Sequence, residues 1–484
     1  MNERIVWLVL VALCVGVSSA LAEEGETVVA PLKALILSGR NNHDWQTTTP
    51  CLKRVLEESG RFTADVTEEP ASLDAAALEP YDVLIDNWTA FPEMTGRQWG
   101  STAEAAVAGF VRGGKGMVSV HAATAGFLDW PDFLKLGICT WGEQSGHSAR
   151  HVFNIEIVDA EHPITKGLHD FATARDELYH RLDLHPPADV IARTYSAKSV
   201  GGTGRYEPMV VTKAFGDGRC VYVAMGHDVE AMEGVGFRAV LPRSAEWAAT
   251  GQVTLAPPAD LPPTRIQAVV VTGGHGFDQE AFPKLFEGAP LNVEFAQQED
   301  DSELFEDIAD WPHDVIVLYN MGQRISETRR AHFRELLDNG VGLVVLHHAV
   351  AAYNKWPEYQ KIIGTAYYLE DTTLDGATHP KSTYAHDVDF ALHIEEPEHP
   401  VTRGVEDFTV HDETYNGMTY DAANKVLVTT DHATSERPIA WVRNYGPARV
   451  CVIQVGHGPH VFTDANYKKL VQQAIAWTAR RNEK

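Results

Sequence analysis

Histidines recur in the same order and setting in the two halves of this 484-residue sequence. His121, and in the second half His347, each follow a short apolar run, and a Trp-Pro pair comes at the same distance after both. An imidazole can take up or release a proton near neutral pH, and it is also the commonest side-chain metal ligand. The pattern therefore predicts one site in each half, for proton transfer or for a metal ion.

A carboxylate and a phenol accompany each histidine. The tetrapeptide Asp-Glu-Leu-Tyr at 176–179 recurs as Asp-Glu-Thr-Tyr at 412–415, and in an extended segment the Glu and the Tyr share one face. A histidine beside a carboxylate can act as an oriented general base, and the same pair can hold a divalent cation such as zinc. Both readings stay open, because the sequence has no H-E-x-x-H or similarly spaced metal motif. The candidate catalytic residues are His121, Glu177, His347 and Glu413.

Short apolar strands and amphipathic helices alternate around these residues. We predict strands at 34–37, 83–85, 117–120 and 220–224 in the first half and at 268–271, 315–318 and 343–346 in the second. Helices are predicted at 103–111 and 327–337, and Thr49-Pro50 is predicted to cap and begin another helix. This alternation indicates an α/β fold with two tandem open, mostly parallel sheets flanked by helices.

Ligands of such sheets bind outside the carboxyl ends of the strands, where this sequence places its unusual polar residues. His121 stands at a strand-to-helix turn where other α/β enzymes carry a Ser or Cys nucleophile, so acyl-enzyme chemistry is disfavoured there. The candidate substrate-binding residues are Asn42, His43, Asp44, Trp45, Asp86, Trp88, Trp141, Tyr179, His227, His275, His348, Tyr415 and His457. If a metal is bound, the histidines available to hold it are His43, His121, His227, His347 and His457.

The recurrence extends over most of the chain and indicates a duplicated domain. The segment Glu-His-Pro-Ile-Thr-Lys-Gly-Leu at 161–168 matches 398–405, and Gly226-His227 matches Gly456-His457. A repeat of this length differs from the short units of a solenoid. We predict domains at 31–250 and 265–482, joined by a Pro-rich linker at 251–264.

Charge and the amino terminus bear on partners and location. With 40 Lys+Arg against 67 Asp+Glu, the net charge of −27 disfavours nucleic acid as a partner. Residues 1–22 read as a signal peptide that ends in Ala20-Leu-Ala22, and no later run is apolar for the length of a membrane span. We therefore expect a periplasmic or extracellular protein that is not inserted in a membrane, and the sequence leaves its oligomeric state open.

Several motifs together resemble the ThuA-like, trehalose-utilisation family, in two tandem copies. They are Ser38-Gly-Arg-Asn-Asn-His-Asp-Trp45, His121-Ala-Ala123, Trp141-Gly142 and Gly226-His-Asp228 in the first copy, and Thr272-Gly-Gly-His275, His347-His-Ala349, His411-Asp-Glu-Thr-Tyr415 and Thr430-Asp-His432 in the second. The resemblance implies a fold similar to class I glutamine amidotransferases without their catalytic cysteine. It also implies a carbohydrate substrate and a link to pathways that oxidise glycosides to 3-keto sugars.

That resemblance, together with the predicted signal peptide, leads us to expect an exported enzyme that isomerises, hydrates or cleaves a keto-disaccharide or glycoside. A non-catalytic sugar-binding module, with tryptophans stacked on sugar rings, is the alternative. A third reading has one copy only bracing the other. Alignment of the first loops places Phe277 opposite His43, with His275 two positions earlier, which argues against equal activity of the two copies.

Overall fold

The computed structural model describes residues 30–299, 301–374 and 376–480. The predicted signal peptide lies outside these residues. Within them, no helix combines the length and apolar character needed to cross a membrane. Each half of the chain builds its own nine-stranded sheet.

The sheet of the first domain joins a parallel half to an antiparallel half. Its strands are β1 (Leu32–Leu37), β2 (Phe62–Thr67), β3 (Val83–Asp86), β4 (Gly116–Val120), β5 (Asn154–Ile157), β6 (Phe171–Ala172), β7 (Asp189–Ser196), β8 (Arg205–Phe215) and β9 (Gly218–Val223). They lie in the order β2-β1-β3-β4-β9-β8-β7-β5-β6. The first five are mutually parallel and the rest pair antiparallel. The parallel half has the doubly wound 2-1-3-4-5 order, which brings the ends of β1, β3, β4 and β9 to one edge.

The second domain repeats this sheet strand for strand. Its strands are β10 (Ile266–Gly273), β11 (Leu291–Gln297), β12 (Val315–Asn320), β13 (Gly342–Leu346), β14 (Thr383–Ile394), β15 (Phe408–Asn416), β16 (Lys425–Thr429), β17 (Pro438–Tyr445) and β18 (Ala448–Ile453). They lie in the order β11-β10-β12-β13-β18-β17-β16-β14-β15. The central parallel strands are buried on both faces, as their continuous apolar sequences require.

Helices cover the faces of both sheets. The longer ones are α1 (Trp45–Glu58), α2 (Gly100–Arg112) and α3 (Val235–Thr250) in the first domain, and α4 (Glu327–Asp338), α5 (Pro357–Ile363) and α6 (Ala465–Thr478) in the second. The predicted α/β class with open sheets flanked by helices is confirmed, and the sheets are mixed. Short strands outside the sheets complete the loops at the carboxyl edge, among them Gly146–His147 paired with Tyr179–His180.

One predicted helix start is wrong. Helix α1 begins at Trp45, so Pro50 lies inside the helix and Thr49 does not cap it. The Thr49 hydroxyl instead hydrogen-bonds Ser38 at 2.6 Å and accepts from the amide of Asn87 at 3.0 Å. These tertiary bonds at the sheet edge outweigh the local preference for proline at the first position of a helix.

Residues 251–264 lie outside any helix or strand between α3 and β10. Part of this segment is fixed to the first domain, because the buried Glu246 carboxylate accepts hydrogen bonds from the backbone amides of Thr254 and Leu255. Leu261 is buried in the core of the first domain. The cysteines at 51, 139, 220 and 451 are buried and unpaired.

Candidate functional site

A histidine in a left-handed backbone conformation ends the central parallel strand of each sheet. His121 follows β4 with φ 43°, and His347 follows β13 with φ 48°. Residues with a Cβ rarely adopt this conformation, which costs on the order of 1–3 kcal/mol and clusters at functional sites. In both turns the imidazole Nδ1 is fixed by a backbone carbonyl, that of Ala224 at 2.7 Å or of Gln454 at 2.8 Å.

That hydrogen bond determines the tautomer. A carbonyl oxygen only accepts, so Nδ1 carries the proton and Nε2 of the neutral ring has its lone pair free. His121 is 2% exposed, and its Nε2 has no hydrogen-bond partner among the described residues. Its nearest charged neighbour is Glu177 Oε2 at 3.6 Å.

Three more side chains meet His121 at the edge of the first sheet. His43 comes from the loop after β1, His227 from the loop after β9, and Glu177 from the segment before the short strand Tyr179–His180. Ligand atoms of these four residues all lie within 4.8 Å of one another. The hydroxyl of Tyr179 lies 2.9 Å from His43 Nε2, and its ring stacks on His121 at 4.0 Å between centroids.

Glu177 is the centre of this cluster. Its Oε2 lies 3.1 Å from His227 Nδ1, and its Oε1 lies 2.9 Å from Nδ1 of His147, which is half exposed. Burial alone would raise the pKa of Glu177, but the imidazoles of His121 and His227 outweigh it and hold that pKa below its usual value. Burial and the neighbouring histidines lower the pKa of His43 to about 3, so its imidazole is neutral. The hydrogen bond that His227 Nδ1 donates to the Glu177 carboxylate raises the pKa of His227.

The aspartate before each of these glutamates fixes the Gly-His turn. The buried Asp176 carboxylate accepts from the backbone amides of Gly226 at 2.8 Å and of His227 at 3.0 Å. In the second domain Asp412 accepts from Gly456 at 2.6 Å and from His457 at 3.0 Å. Asp-Glu-x-Tyr and Gly-His therefore recur together because the first motif positions the second.

The second domain forms a related cluster with different hydrogen bonds. Glu413 Oε2 lies 3.5 Å from ring nitrogens of His347, His457 and His386. The Tyr415 hydroxyl lies 2.9 Å from His347 Nε2, so it donates to the lone pair that is unpartnered on His121. Ligand atoms of His347, Glu413 and His457 lie within 4.8 Å of one another, a three-residue group.

Burial and neighbouring imidazoles also shift the pKa values in the second cluster. Burial would raise the pKa of Glu413, but His347 and the other imidazoles lower it on balance. Burial and His347 also lower the pKa of His457. A cavity of about 230 Å³ adjoins the cluster and is lined by Glu413, Tyr415, His386, Tyr367 and Tyr384.

A family comparison matches both domains. The sequence model of the ThuA family, described as trehalose utilisation, matches residues 33–248 and 267–478. The chain belongs to the ThuA family. The predicted tandem resemblance to this family is thus confirmed. No curated protein matches the chain.

Three solved structures that are similar to this chain each align with about half of it. A ThuA-like protein from Parabacteroides merdae is 31% identical over 48% of this chain and 95% of its own, with a TM-score of 0.44. A ThuA-like protein from Bacteroides uniformis is 21% identical over 49% of this chain and 98% of its own, with a TM-score of 0.37. PurLQS from Thermotoga maritima is 14% identical over 44% and 99%, with a TM-score of 0.31.

Several residues predicted for the ThuA sites do lie in the clusters. In the first domain Trp141 packs its ring edge on Tyr179 at 5.0 Å between centroids. In the second, His275 stacks on His348 at 4.4 Å and borders the same cavity. His348 Nε2 bonds the Tyr319 carbonyl at 3.1 Å, and burial and His347 lower its pKa to about 2. The structure brings together His43, His121, Glu177, Tyr179 and His227 in one domain and His347, Glu413, Tyr415 and His457 in the other.

Other predicted residues lie elsewhere. Asp86 ends β3 fully buried, its Oδ1 accepts from the backbone amide of Trp88, and burial raises its pKa to about 8. Trp88 is 7% exposed and stacks on Phe127 at 5.0 Å, so its indole belongs to the aromatic core. Asp86 was expected to converge with the histidines, but its carboxyl is buried where β3 ends and is not part of their donor group. The substrate-binding roles of Asp86 and Trp88 stay predictions.

The predicted residues of the first loop other than His43 lie around the start of α1. Asn42 and Asp44 are exposed, and Asp44 is the residue before α1 without a capping bond from its side chain. Trp45 is partly buried as the first residue of that helix.

Sequence reasoning missed His147 and His386. Each belongs to a strand that pairs antiparallel with an Asp-Glu-x-Tyr segment, since His147 pairs with Tyr179, and His386 lies in the bulge opposite Glu413. The number of residues between His147 and His386 is close to the number between the two Asp-Glu-x-Tyr segments. Comparing repeat offsets for every histidine would have found the pair.

Proposed function

We propose that this ThuA-family protein is exported and processes a keto-disaccharide or related glycoside at its His/Glu clusters. The family description, trehalose utilisation, supports a disaccharide as the class of substrate. The leader sequence supports export. The chemistry is proton transfer beside a sugar carbonyl or its metal-assisted equivalent, of the isomerase, lyase or hydrolase type.

The cavity of the second domain is the observation that carries this proposal. It is lined by the ionised carboxylate of Glu413 and by the phenol of Tyr415, whose pKa burial raises well above its usual value. The fixed imidazole of His347 does not line the cavity, but its Nε2 lies 3.5 Å from Glu413 Oε2. A carboxylate can accept the proton next to a carbonyl, and a phenol paired with an imidazole can donate one to the carbonyl oxygen. The cavity measures about 230 Å³, below the usual range of about 300–1,000 Å³ for sites that hold drug-sized ligands. We therefore expect it to hold one ring of the disaccharide.

Isotope exchange tests proton transfer directly. The purified protein is incubated with a keto-disaccharide in D₂O, and NMR follows the loss of the C–H signals next to the carbonyl. We expect exchange or product formation with the parent protein, and a fall of about 100-fold or more in Glu413→Gln if Glu413 is the base. His393→Asn is the matched control, because that exposed histidine pairs with Asp407 and does not line the cavity. Unchanged exchange in the Glu413→Gln and His121→Ala/His347→Ala variants would remove these residues from the mechanism.

An exposed aromatic side chain favours a second candidate function. Tyr384 is 58% exposed at the cavity, and an exposed aromatic face suits stacking on a sugar ring. A non-catalytic sugar-binding protein would bind the keto-disaccharide in calorimetry without exchange or turnover. Its affinity would fall in Tyr384→Ala and survive Glu413→Gln.

A further inference from the structure

Four side chains bring metal-binding donor atoms close together at the edge of the first sheet. His43, His121, His227 and Glu177 each offer a ligand atom, and all of these atoms lie within 4.8 Å of one another. A tetrahedral zinc ion with bonds of about 2.0–2.1 Å sets its ligand atoms about 3.4 Å apart. Glu177 Oε2 already lies 3.6 Å from His121 Nε2 and 3.1 Å from His227 Nδ1.

An unpartnered buried atom provides independent support. His121 Nε2 is buried and has no hydrogen-bond partner among the described residues, and its lone pair is exposed to the cluster because Nδ1 donates to Ala224. Buried polar atoms are almost always paired, so this one points to a missing partner that accepts a lone pair. An imidazole whose other nitrogen donates to a carbonyl is the usual arrangement of a metal-bound histidine.

Two neighbouring groups bear on the same role. His147 occupies Oε1 of Glu177, which leaves Oε2 for the cluster and orients the carboxylate. Tyr179 adjoins the cluster, with its hydroxyl 2.9 Å from His43 Nε2, so a metal bound through that nitrogen would have to displace this contact.

The geometry points to a divalent metal site in the first domain, formed by His43, His121, Glu177 and His227 and suited to a zinc-like ion. Three imidazole nitrogens and one carboxylate oxygen are a donor set that Zn²⁺ accepts, whereas Mg²⁺ and Ca²⁺ prefer oxygen ligands. The inference rests on this geometry and not on the proposed sugar chemistry.

The second domain provides an internal comparison. By alignment Phe277 replaces His43, and its ring packs against Phe282 at 5.2 Å and Tyr319 at 5.6 Å. The Tyr415 hydroxyl occupies His347 Nε2, the atom equivalent to the unpartnered one. We therefore expect one tight ion per chain, in the first domain.

Metal content tests the inference on the intact protein. The chain is stripped with a chelator, equilibrated with Zn²⁺, and analysed for bound metal. In parallel, Co²⁺ is added and its visible ligand-field absorption is recorded. We expect about one tightly bound Zn²⁺ per chain. Co²⁺ binds the same kinds of ligand as Zn²⁺, so we expect its absorption spectrum to be that of an ion coordinated by nitrogen and oxygen atoms.

Matched variants assign the ion to the first domain. Glu177→Gln and His43→Phe should each weaken Zn²⁺ binding by more than about 10-fold. Loss of a residue that only hydrogen-bonds a metal ligand already weakens binding by about 10-fold, and these two residues are proposed as ligands themselves. The phenylalanine in His43→Phe is the residue that the second domain has at the aligned position. Glu413→Gln should retain the tight ion. Circular dichroism verifies folding of each variant, and the Co²⁺ spectrum of the parent protein decides the matter if a variant does not fold.

Failure to bind Zn²⁺ or Co²⁺ at micromolar concentrations, or equal loss in Glu177→Gln and Glu413→Gln, would overturn the inference. Metal binding without any exchange on keto sugars would reject only the proposed function. Exchange by the metal-free protein would leave that function intact and reject a catalytic part for the ion.

Discussion

Substitution of Asp176 tests whether the Asp-Glu-x-Tyr segment holds the Gly-His turn in place. Its Oδ2 accepts from the Gly226 amide at 2.8 Å, and its Oδ1 accepts from the amides of Glu177 at 2.8 Å and His227 at 3.0 Å. Substitution Asp176→Asn preserves the shape of this side chain. It keeps one oxygen for two of the three amides and turns an NH₂ group towards the third, which is also a donor.

The expected cost follows from these three contacts. A hydrogen bond to a charged group contributes about 1.5–3 kcal/mol, and a buried donor left without an acceptor costs about 1–3 kcal/mol. Losing the Gly226 bond and weakening the other two should therefore lower the free energy of unfolding of the first domain by about 2–4 kcal/mol. Asp412→Asn should do the same in the second domain, where the Gly456 amide loses its acceptor.

Hydrogen exchange under increasing denaturant measures the effect, because peptides from each domain report that domain separately. The measurement is made in chelator, so that a bound ion does not add to the stability of the folded state. Each variant should lower protection mainly in its own domain. A loss below about 0.5 kcal/mol, typical of a surface substitution, would refute the positioning role of Asp176.

Three other predictions concern packing, backbone geometry and export. Gly456→Ala should destabilise the second domain, because φ is 133° and a Cβ would lie 2.3 Å from the Tyr467 hydroxyl; thermal unfolding measures this, and an unchanged midpoint would contradict it. Trp88→Ala should destabilise the first domain by about 3–5 kcal/mol, as a core residue does, and sugar binding by the folded protein should persist. Amino-terminal sequencing of protein recovered from the periplasm or medium should begin near Glu23, and an intact leader would contradict export.

The acid sensitivity of the first domain should depend on Glu246. Burial opposes ionisation of this carboxyl, but hydrogen bonds from Thr254 and Arg61 outweigh it and lower its pKa. A lowered pKa contributes stability that is complete above the ordinary value of 4.5 and is lost as pH falls through the folded-state pKa. The difference in unfolding free energy between the parent and Glu246→Gln should therefore be largest near neutral pH and shrink in acid. A constant difference from pH 7 to pH 3 in urea titrations would contradict this assignment.

Strand positions and the convergence of distant histidines were predictable, because both follow from periodicity and topology. Buried parallel strands have continuous apolar sequences, and the carboxyl ends of parallel strands meet at one edge of a sheet. This is why His43, His121 and His227 come together in the structure although they are far apart in sequence. Asp86 ends a neighbouring strand but is fully buried. Its burial was not predictable, because the order of the strands shows at which edge of the sheet a residue lies and not how deeply its side chain is buried.

The antiparallel half could not be derived in the same way. Its strands are short or bulged, as at Val190 and Ala192, and their pairing depends on contacts distant in sequence. His147 and His386 belong to strands of this kind, so no local pattern placed them beside Glu177 and Glu413. Helix α1 shows the same limit, because Thr49 bonds to Ser38 across the sheet edge and not to the helix backbone.

The two domains differ where a difference is least costly to the fold. Asp176 and Asp412 hold the same Gly-His turn, and His121 and His347 make the same bond to a neighbouring strand, so the scaffold of the site is shared. The loops after β1 and β10 are not part of any strand. The position held by His43 in the first loop can therefore be held by Phe277 in the second without a change in the sheet. Phe277 packs against the apolar cluster of the second domain, and His275 of the same loop stacks on His348 and is not one of the three donors. One scaffold thus presents a four-donor cluster in one half and a three-donor cluster beside a cavity in the other, an arrangement that would separate the metal binding and the proton transfer that we propose.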